Sequence, residues 1–142
     1  MRKILQVGIA LIVCMEYGHS QILVNEGATI SITENTDFSM GDSVINRGTI
    51  TNNGTIYLSG SWLNEATYNS GSGNIVVNSS QPQTINHNNQ YFNSLTITGG
   101  GDKFFEEDIH INSSVFLDNG RLISLNEPEA CKSIRRSHGK LQ

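Results

Sequence analysis

A five-residue unit, Asn-x-Gly-Thr-Ile, occurs twice in close succession, at residues 46–50 and 52–56. Gly and Asn tolerate the positive φ values that tight corners require. Thr and Ile favour strands because their β-branched side chains pack well on a pleated surface. Each copy of the unit therefore predicts a corner that leads into a short strand.

A similar pattern continues along the chain, where apolar residues alternate with Ser, Thr and Asn. Alternation with a period of two indicates strands that bury one face. No helical period is evident after Gln21, so helix should be scarce. The strand centres recur roughly every 20 residues, near Ile32, Ile56, Ile75, Ile97 and Phe116.

Two all-β folds fit this pattern. A spacing of about 20 residues is the size of one coil of a parallel β-helix, or β-solenoid, whose coils stack about 4.8 Å apart. Asn and Thr ladders would then stack between coils around a narrow column of Ile, Val and Leu. The alternative is an antiparallel β-sandwich with strands about every 8–12 residues. The repeated unit and the Asn-Gly corners favour a solenoid domain over residues 21–125.

Residues 1–20 are predicted to be an export signal. A positive start at residues 2–3, an apolar run over residues 4–13 and small residues at 18–20 occur in the expected order, with cleavage after Ser20. The run is shorter than the about 20 residues that span a bilayer, so no transmembrane segment is expected after signal removal. The mature protein is expected to be secreted or to lie at the cell surface.

The two cysteines offer little further chemistry. Cys14 lies in a stretch that loosely resembles a bacterial lipoprotein box, but Val13 stands where that box carries Gly, Ala or Ser, so lipidation is the weaker alternative. Cleavage after Ser20 leaves Cys131 alone, which excludes an internal disulfide and a cysteine-based zinc site.

The alternation stops near Ser124, and residues 126–142 have a different composition. Basic residues and His are concentrated there, at Lys132, Arg135, Arg136, His138 and Lys140. One interpretation is a disordered basic tail. The others are a basic contact patch and an aberrant terminus produced by truncation or a shifted reading frame.

Three stretches resemble the amino-terminal region of large secreted or surface-exposed proteins of the Bacteroidetes kind. They are Val44–Trp62, with its Gly-Ser-Trp-x-Asn finish, Asn74–Val77 followed by Gln83–Ile85, and Phe92–Ile97 with its Phe-x-x-Leu pattern. The resemblance covers roughly residues 44–122. It implies a right-handed parallel β-helix and an adhesin-like role at the cell surface.

The acidic run at Glu106, Glu107 and Asp108 is the main candidate for catalysis. On a strand, Glu106 and Asp108 would share a face with Cα atoms about 6.5–7 Å apart, within the range of glycosidase carboxylate pairs. A catalytic pair also needs a sugar-binding cleft, and nothing else in the sequence converges on these residues. A solvated acidic turn is the favoured interpretation.

Metal binding has weaker support. His87 and His110 are about one coil apart, so stacking would bring them together, but a third ligand is missing. The segment Gly99-Gly100-Gly101-Asp102 resembles a calcium-binding glycine repeat but occurs once, whereas that motif recurs every nine residues or so. No metal site and no cofactor are predicted.

Aromatic side chains are the candidates for glycan contact, because their faces stack on the apolar faces of sugar rings. Trp62 and Tyr57 are the predicted contacts, with Tyr68 and Tyr91 as further aromatic residues. Core or lateral packing is the alternative role for Trp62.

The sequence thus predicts an exported structural or adhesive cell-surface segment without catalytic activity. The formal charge of −4 leaves no basic field for nucleic acid. Glycans or surface proteins are the expected partners, and open sheet edges could support self-association. The alternative function is a fragment of a polysaccharide-active β-helix enzyme that uses Glu106 and Asp108.

Overall fold

The computed structural model describes residues 22–125 and two short strands beyond them. Every regular element in these ranges is a β-strand. The strands are β1 (Leu23–Asn25), β2 (Thr29–Ile32), β3 (Asp37–Met40), β4 (Val44–Asn46), β5 (Thr49–Asn52), β6 (Thr55–Leu58), β7 (Trp62–Asn64), β8 (Thr67–Asn69), β9 (Asn74–Val77), β10 (Gln83–Asn86), β11 (Tyr91–Ile97), β12 (Asp102–Phe105), β13 (His110–Leu117), β14 (Arg121–Ser124), β15 (Ser133–Ile134) and β16 (Gly139–Leu141).

The strands stack in three sheets that form the sides of a coil. Face A contains β1, β4, β7, β10, β12 and β14, face B contains β2, β5 and β8, and face C contains β3, β6, β9, β11 and β13. Every pairing within these sets is parallel. The chain therefore winds from A to B to C and back to A in the first three coils and then passes directly from A to C, for about five turns in all. The predicted parallel β-helix is confirmed, and the sandwich alternative is wrong.

The repeated Asn-x-Gly-Thr-Ile unit marks successive corners of a single coil. Its first copy contains the corner between β4 and β5, and its second copy contains the corner between β5 and β6. The six-residue period is therefore the length of one side of the coil. The coil itself is longer, since Asn25 and Asn46 pair 21 residues apart and Asn46 and Asn64 pair 18 residues apart.

Glycine is needed at these corners because consecutive coils approach closely. A Cβ atom on Gly48 would lie 2.3 Å from the carbonyl oxygen of Ala28, and one on Gly54 would lie 2.3 Å from that of Thr36. Neither glycine has a positive φ. The expectation that positive φ explains these corners is therefore wrong, and contact with the preceding coil is the physical reason.

A ladder of buried asparagines stacks inside the corner between faces A and B. The Nδ2 atom of Asn25 donates to Oδ1 of Asn46 at 2.8 Å, and Nδ2 of Asn46 donates to Oδ1 of Asn64 at 2.7 Å. Asn46 also donates to the carbonyl of Thr67 at 3.0 Å and accepts from the amide of Gly48 at 3.1 Å. The predicted Asn ladder is confirmed, and each buried amide is hydrogen-bonded to its neighbours.

Most of the remaining interior is a narrow apolar column. Aliphatic residues fill most of it, as predicted, but four aromatic side chains also lie inside. The buried core consists of Ile32, Val44, Ile50, Ile56, Leu58, Trp62, Tyr68, Ile75, Val77, Ile85, Phe92, Leu95, Ile97, Phe105 and Leu117.

Face B ends after three strands because the chain turns directly from β10 into β11 over residues 87–90. The side chain of Gln90 covers the edge of β8 that is left unpaired. Its Oε1 accepts from the amide of Tyr68 at 2.7 Å, and its Nε2 donates to the carbonyl of Ala66 at 2.5 Å. One side-chain amide thus replaces the backbone of a missing strand.

At the other end of the chain, two strands pair in the opposite direction to the coils. β15 pairs antiparallel with β14, and β16 pairs antiparallel with β13. These two strands lie within residues 126–142, for which the disordered basic tail stays a prediction. The rest of that segment and the predicted signal at residues 1–20 lie outside the described residues.

Replacing Gly48 by alanine should destabilise the fold, because the added methyl group meets the backbone of the preceding coil. We expect a loss of about 1–3 kcal/mol in the free energy of unfolding, the usual cost of overpacking. Gly41→Ala is the matched control, since a Cβ atom there meets nothing within 4 Å. Urea denaturation of both variants measures the difference, and equal stabilities would contradict the close-approach explanation.

Replacing Asn46 by alanine should interrupt the asparagine ladder. The change leaves four polar groups in the interior without their hydrogen-bond partner, namely those of Asn25, Gly48, Asn64 and Thr67. Each buried polar group without a partner costs about 1–3 kcal/mol, so the loss of stability should be at least about 2 kcal/mol. Asn69→Ala is the control, because Asn69 is exposed and its amide makes a single 3.3 Å bond to Thr51. Similar denaturation midpoints for the two variants would argue against the ladder.

Candidate functional site

The interior contains an aromatic cluster around His87, at the level where face B ends. The His87 ring stacks on Phe92 with centroids 3.7 Å apart and meets the edge of Tyr68 at 4.7 Å. Nδ1 of His87 accepts a hydrogen bond of 2.9 Å from the indole Nε1 of Trp62. The cluster thus joins β7, β8 and β11 through the turn after β10.

Trp62 is 1% exposed, so its ring presents no face to solvent. The glycan contact predicted for Trp62 is therefore not supported, and its alternative role in the core is the one observed. The physical reason is the phase of β7, which points Trp62 inward and leaves Leu63 on the outer surface. Tyr68 is also buried, and its hydroxyl oxygen accepts from Nδ2 of Asn52 at 3.1 Å.

Burial changes the acid–base properties of two members of the cluster. It raises the pKa of Tyr68 to about 12, although the hydrogen bond from Asn52 opposes this shift. It lowers the pKa of His87 to about 3, and the nearby backbone of Tyr91 offsets part of that effect. Both side chains are consequently neutral at pH 7, and the cluster fills the core without introducing a charge.

The acidic run lies in a turn, because β12 ends at Phe105. A carboxylate oxygen of Glu107 accepts from the amide of His87, and the other accepts from the amide of Asn89 at 2.7 Å. Glu106 accepts from Nδ2 of Asn86 at 3.0 Å. These two side chains hold the turn of the preceding coil.

The strand geometry predicted for Glu106 and Asp108 is therefore wrong, because neither residue belongs to a strand. Both are exposed, and the observed role of Glu106 is a hydrogen bond between coils. The favoured interpretation, an acidic turn, matches this placement.

The two histidines do not come together. His87 is in the core, whereas His110 is on β13, where its ring lies 5.1 Å from that of Tyr91. The two histidines are separated in the sequence by about the length of one coil, but the turn after β10 directs the side chain of His87 into the core. Within the described part of the chain, no group of three His, Cys, Asp or Glu residues could hold a metal ion.

The glycine-rich segment before β12 is a loop, as expected. Gly99 and Gly100 adopt positive φ values of 85° and 83°. Asp102 is held by both Nε and Nη2 of Arg121, at 3.0 and 2.5 Å. An arginine that neutralises this carboxylate disfavours a calcium ion beside it.

Lys103 is a buried cation that the sequence pattern did not reveal. It is fully buried on β12, and its Nζ donates to the carbonyl of Ser79 at 2.6 Å. Burial lowers the pKa of this ammonium group, while the charge of Asp102 opposes the shift. The neighbouring Phe104 and Phe105 made either face of β12 a plausible core face, so alternation could not place Lys103.

Exposed aromatic residues lie on and beside face C. Tyr91 is 53% exposed at the start of β11, and Phe116 is 47% exposed on β13. Tyr57 is half-buried on the outward side of β6, between Ser39 and Val76 of the adjacent coils. Tyr57 thus keeps the accessibility that its predicted contact with glycans requires.

No family model, no curated protein and no solved structure matches the chain. Within the described residues there is also no helix long and apolar enough to traverse a lipid bilayer.

The stability of the His87 cluster should depend on pH. The pKa of His87 is about 3 in the folded state and about 6.5 in the unfolded state. As the pH falls, His87 is therefore protonated in the unfolded chain before it is protonated in the folded chain. Stability should therefore be complete above about pH 6.5 and fall by about 1.4 kcal/mol per pH unit from there down to about pH 3. Denaturation midpoints measured across this window give the slope.

His87→Gln should flatten this pH dependence, since glutamine does not titrate but can still accept from Trp62. His110→Gln is the control, because His110 lies outside the core on β13. An unchanged slope in His87→Gln would show that other groups cause the acid sensitivity.

Proposed function

We propose that this protein is an exported structural and adhesive β-solenoid of the cell surface, without catalytic activity, which binds glycans through its outward faces. The main observation in support of this proposal is the parallel stacking of short strands. This stacking places hydroxyl, amide and aromatic side chains in regular outward columns. Export rests on the sequence features of residues 1–20, and the surface role rests on the resemblance of residues 44–122 to large surface proteins.

The interior supports a structural role. Groups that often carry chemistry in enzymes, namely His87, Lys103 and Glu107, are each engaged in holding one coil on another. A rod whose coils are held together by internal hydrogen bonds is well suited to displaying its surface at a distance from its attachment point.

The aromatic residues of face C and its border support glycan contact. Tyr91 packs at a tilted angle against His110 and leaves about half of its surface free. Tyr57 lies on the same sheet two coils earlier, and Asn74 and Thr96 add an amide and a hydroxyl group to this sheet. Exposed rings flanked by hydrogen-bonding groups are the usual elements of a carbohydrate-binding surface.

The rival function, a polysaccharide-active enzyme fragment using Glu106 and Asp108, has no specific observation in its favour. The contacts of Glu106 and Glu107 with the preceding turn account for the acidic run. Reducing sugar released by the protein and abolished in Glu106→Gln would support the rival.

Tyr91→Ala should weaken binding of the full chain to its polysaccharide. The probes are insoluble cellulose, chitin, xylan and mannan together with intact bacterial cells, and the measurement is the fraction of protein that sediments. One aromatic contact is worth about 0.5–1.5 kcal/mol, so affinity should fall about two- to tenfold, with a comparable loss for Tyr57→Ala.

Val24→Ala serves as the matched control, since Val24 is an exposed apolar residue on face A. No sedimentation with any polysaccharide or cell would remove the adhesive part of the proposal. Full binding by both tyrosine variants would remove the aromatic contacts and leave another face responsible.

A further inference from the structure

Face B presents to solvent a regular array of six small polar side chains, five of which carry a hydroxyl group. Thr29, Thr49 and Thr67 form one outward column across the three strands of this face. The second outward column consists of Ser31, Thr51 and Asn69. We call these six side chains the threonine face.

The backbone fixes the spacing of this array in two directions. Both pairings, β2 with β5 and β5 with β8, are parallel and continue without a register shift. Neighbours within a column are therefore about 4.8 Å apart, the separation of hydrogen-bonded strands. The two columns are about 6.5–7 Å apart, because the residues in each strand are two positions apart. The threonine face is consequently a rectangular lattice of rigidly held groups.

The chemistry of the threonine face narrows the class of ligand. None of its six residues is charged, which disfavours an ionic mineral surface. None is aromatic, and Tyr68, between Thr67 and Asn69, points into the core, so sugar rings find no stacking partner there. The paired charges of Arg47 with Glu26 and Glu65 lie at the adjoining corner and leave the face itself neutral.

We infer that the threonine face binds ice. Its two repeats are close to the spacings of water oxygens on a prism plane of hexagonal ice. Each threonine offers a methyl group, which orders the adjacent water, and a hydroxyl group, which anchors that water in register. Four of the six side chains are threonines, and because β-branched side chains have few χ1 rotamers, these four lose little entropy when the face meets a crystal.

Thr49→Lys tests this inference, because it places a long charged side chain in the middle of one column. Fluorescently labelled full chain is mixed with buffer, a polycrystalline ice mass is grown slowly, and the labelled fraction in the ice is measured. Wild-type protein should be enriched in the ice and should shape single crystals into facets, while Thr49→Lys should be rejected and lose the faceting.

Thr55→Lys is the matched control. Thr55 lies in the same coil and is half-buried like Thr49, but it faces outward from face C. It should partition into ice like the wild type. Thr49→Val, which keeps the shape and the strand preference, is a second variant in case the lysine disturbs folding, and thermal melts of all variants verify the fold.

Several results would overturn the inference. One is rejection of the wild type by ice to the same degree as an unrelated protein of similar mass. Another is equal incorporation of wild type, Thr49→Lys and Thr49→Val. Sedimentation with crystalline cellulose or chitin that is lost in Thr49→Lys, without incorporation into ice, would instead assign the face to a polysaccharide. Loss of glycan binding in Tyr91→Ala leaves the ice result unaffected, since Tyr91 is not on face B.

Discussion

Hydrogen bonding between consecutive coils is the constraint on which the rest of this structure depends. Each strand from β1 to β14 pairs in parallel with the strand one coil away, so most side chains stack on their counterparts. Inside, this requires polar residues to satisfy one another along the axis, as Asn25, Asn46 and Asn64 do. At the corners, it brings the carbonyl of one coil so close to the next that only glycine fits, as at Gly48 and Gly54.

The coil changes shape where face B ends, and polar side chains make that change possible. Gln90 replaces the missing strand beside β8, and Glu107 binds the amides of the turn in the first coil that lacks a face B strand. The aromatic cluster of Trp62, Tyr68 and His87 fills the interior at this level. Residue types that suggest catalysis in a sequence are thus used here to join two forms of coil.

The interior side chains hold the coils together, so we expect ligands to bind to the outer faces, and these faces differ in chemistry. Face C and its border expose aromatic rings among hydroxyl and amide groups, which suits a glycan. Face B exposes a neutral lattice of small groups, which suits an ordered surface. The residues proposed to bind glycans and those proposed to bind ice lie on different faces. A substitution on one face therefore tests one proposal without testing the other.

The sequence by itself determined the all-β architecture, the coil of about 20 residues, the scarcity of helix and the asparagine ladder. These follow from local periodicity and from the preferences of Asn, Gly, Thr and Ile, which act over a few neighbouring residues. The repeated unit at residues 46–56 also marked real corners, although they proved to be consecutive corners of one coil.

Only the tertiary structure decided which side of each strand faces inward. Where two apolar residues are adjacent, as in Trp62-Leu63 and Phe104-Phe105, alternation fits both phases, so the burial of Trp62 and Lys103 could not be read from the pattern. The number of residues in each turn also sets the phase of the strand that follows. His87 and the acidic run both lie in such turns, after β10 and after β12, and their placement depends on where those strands end.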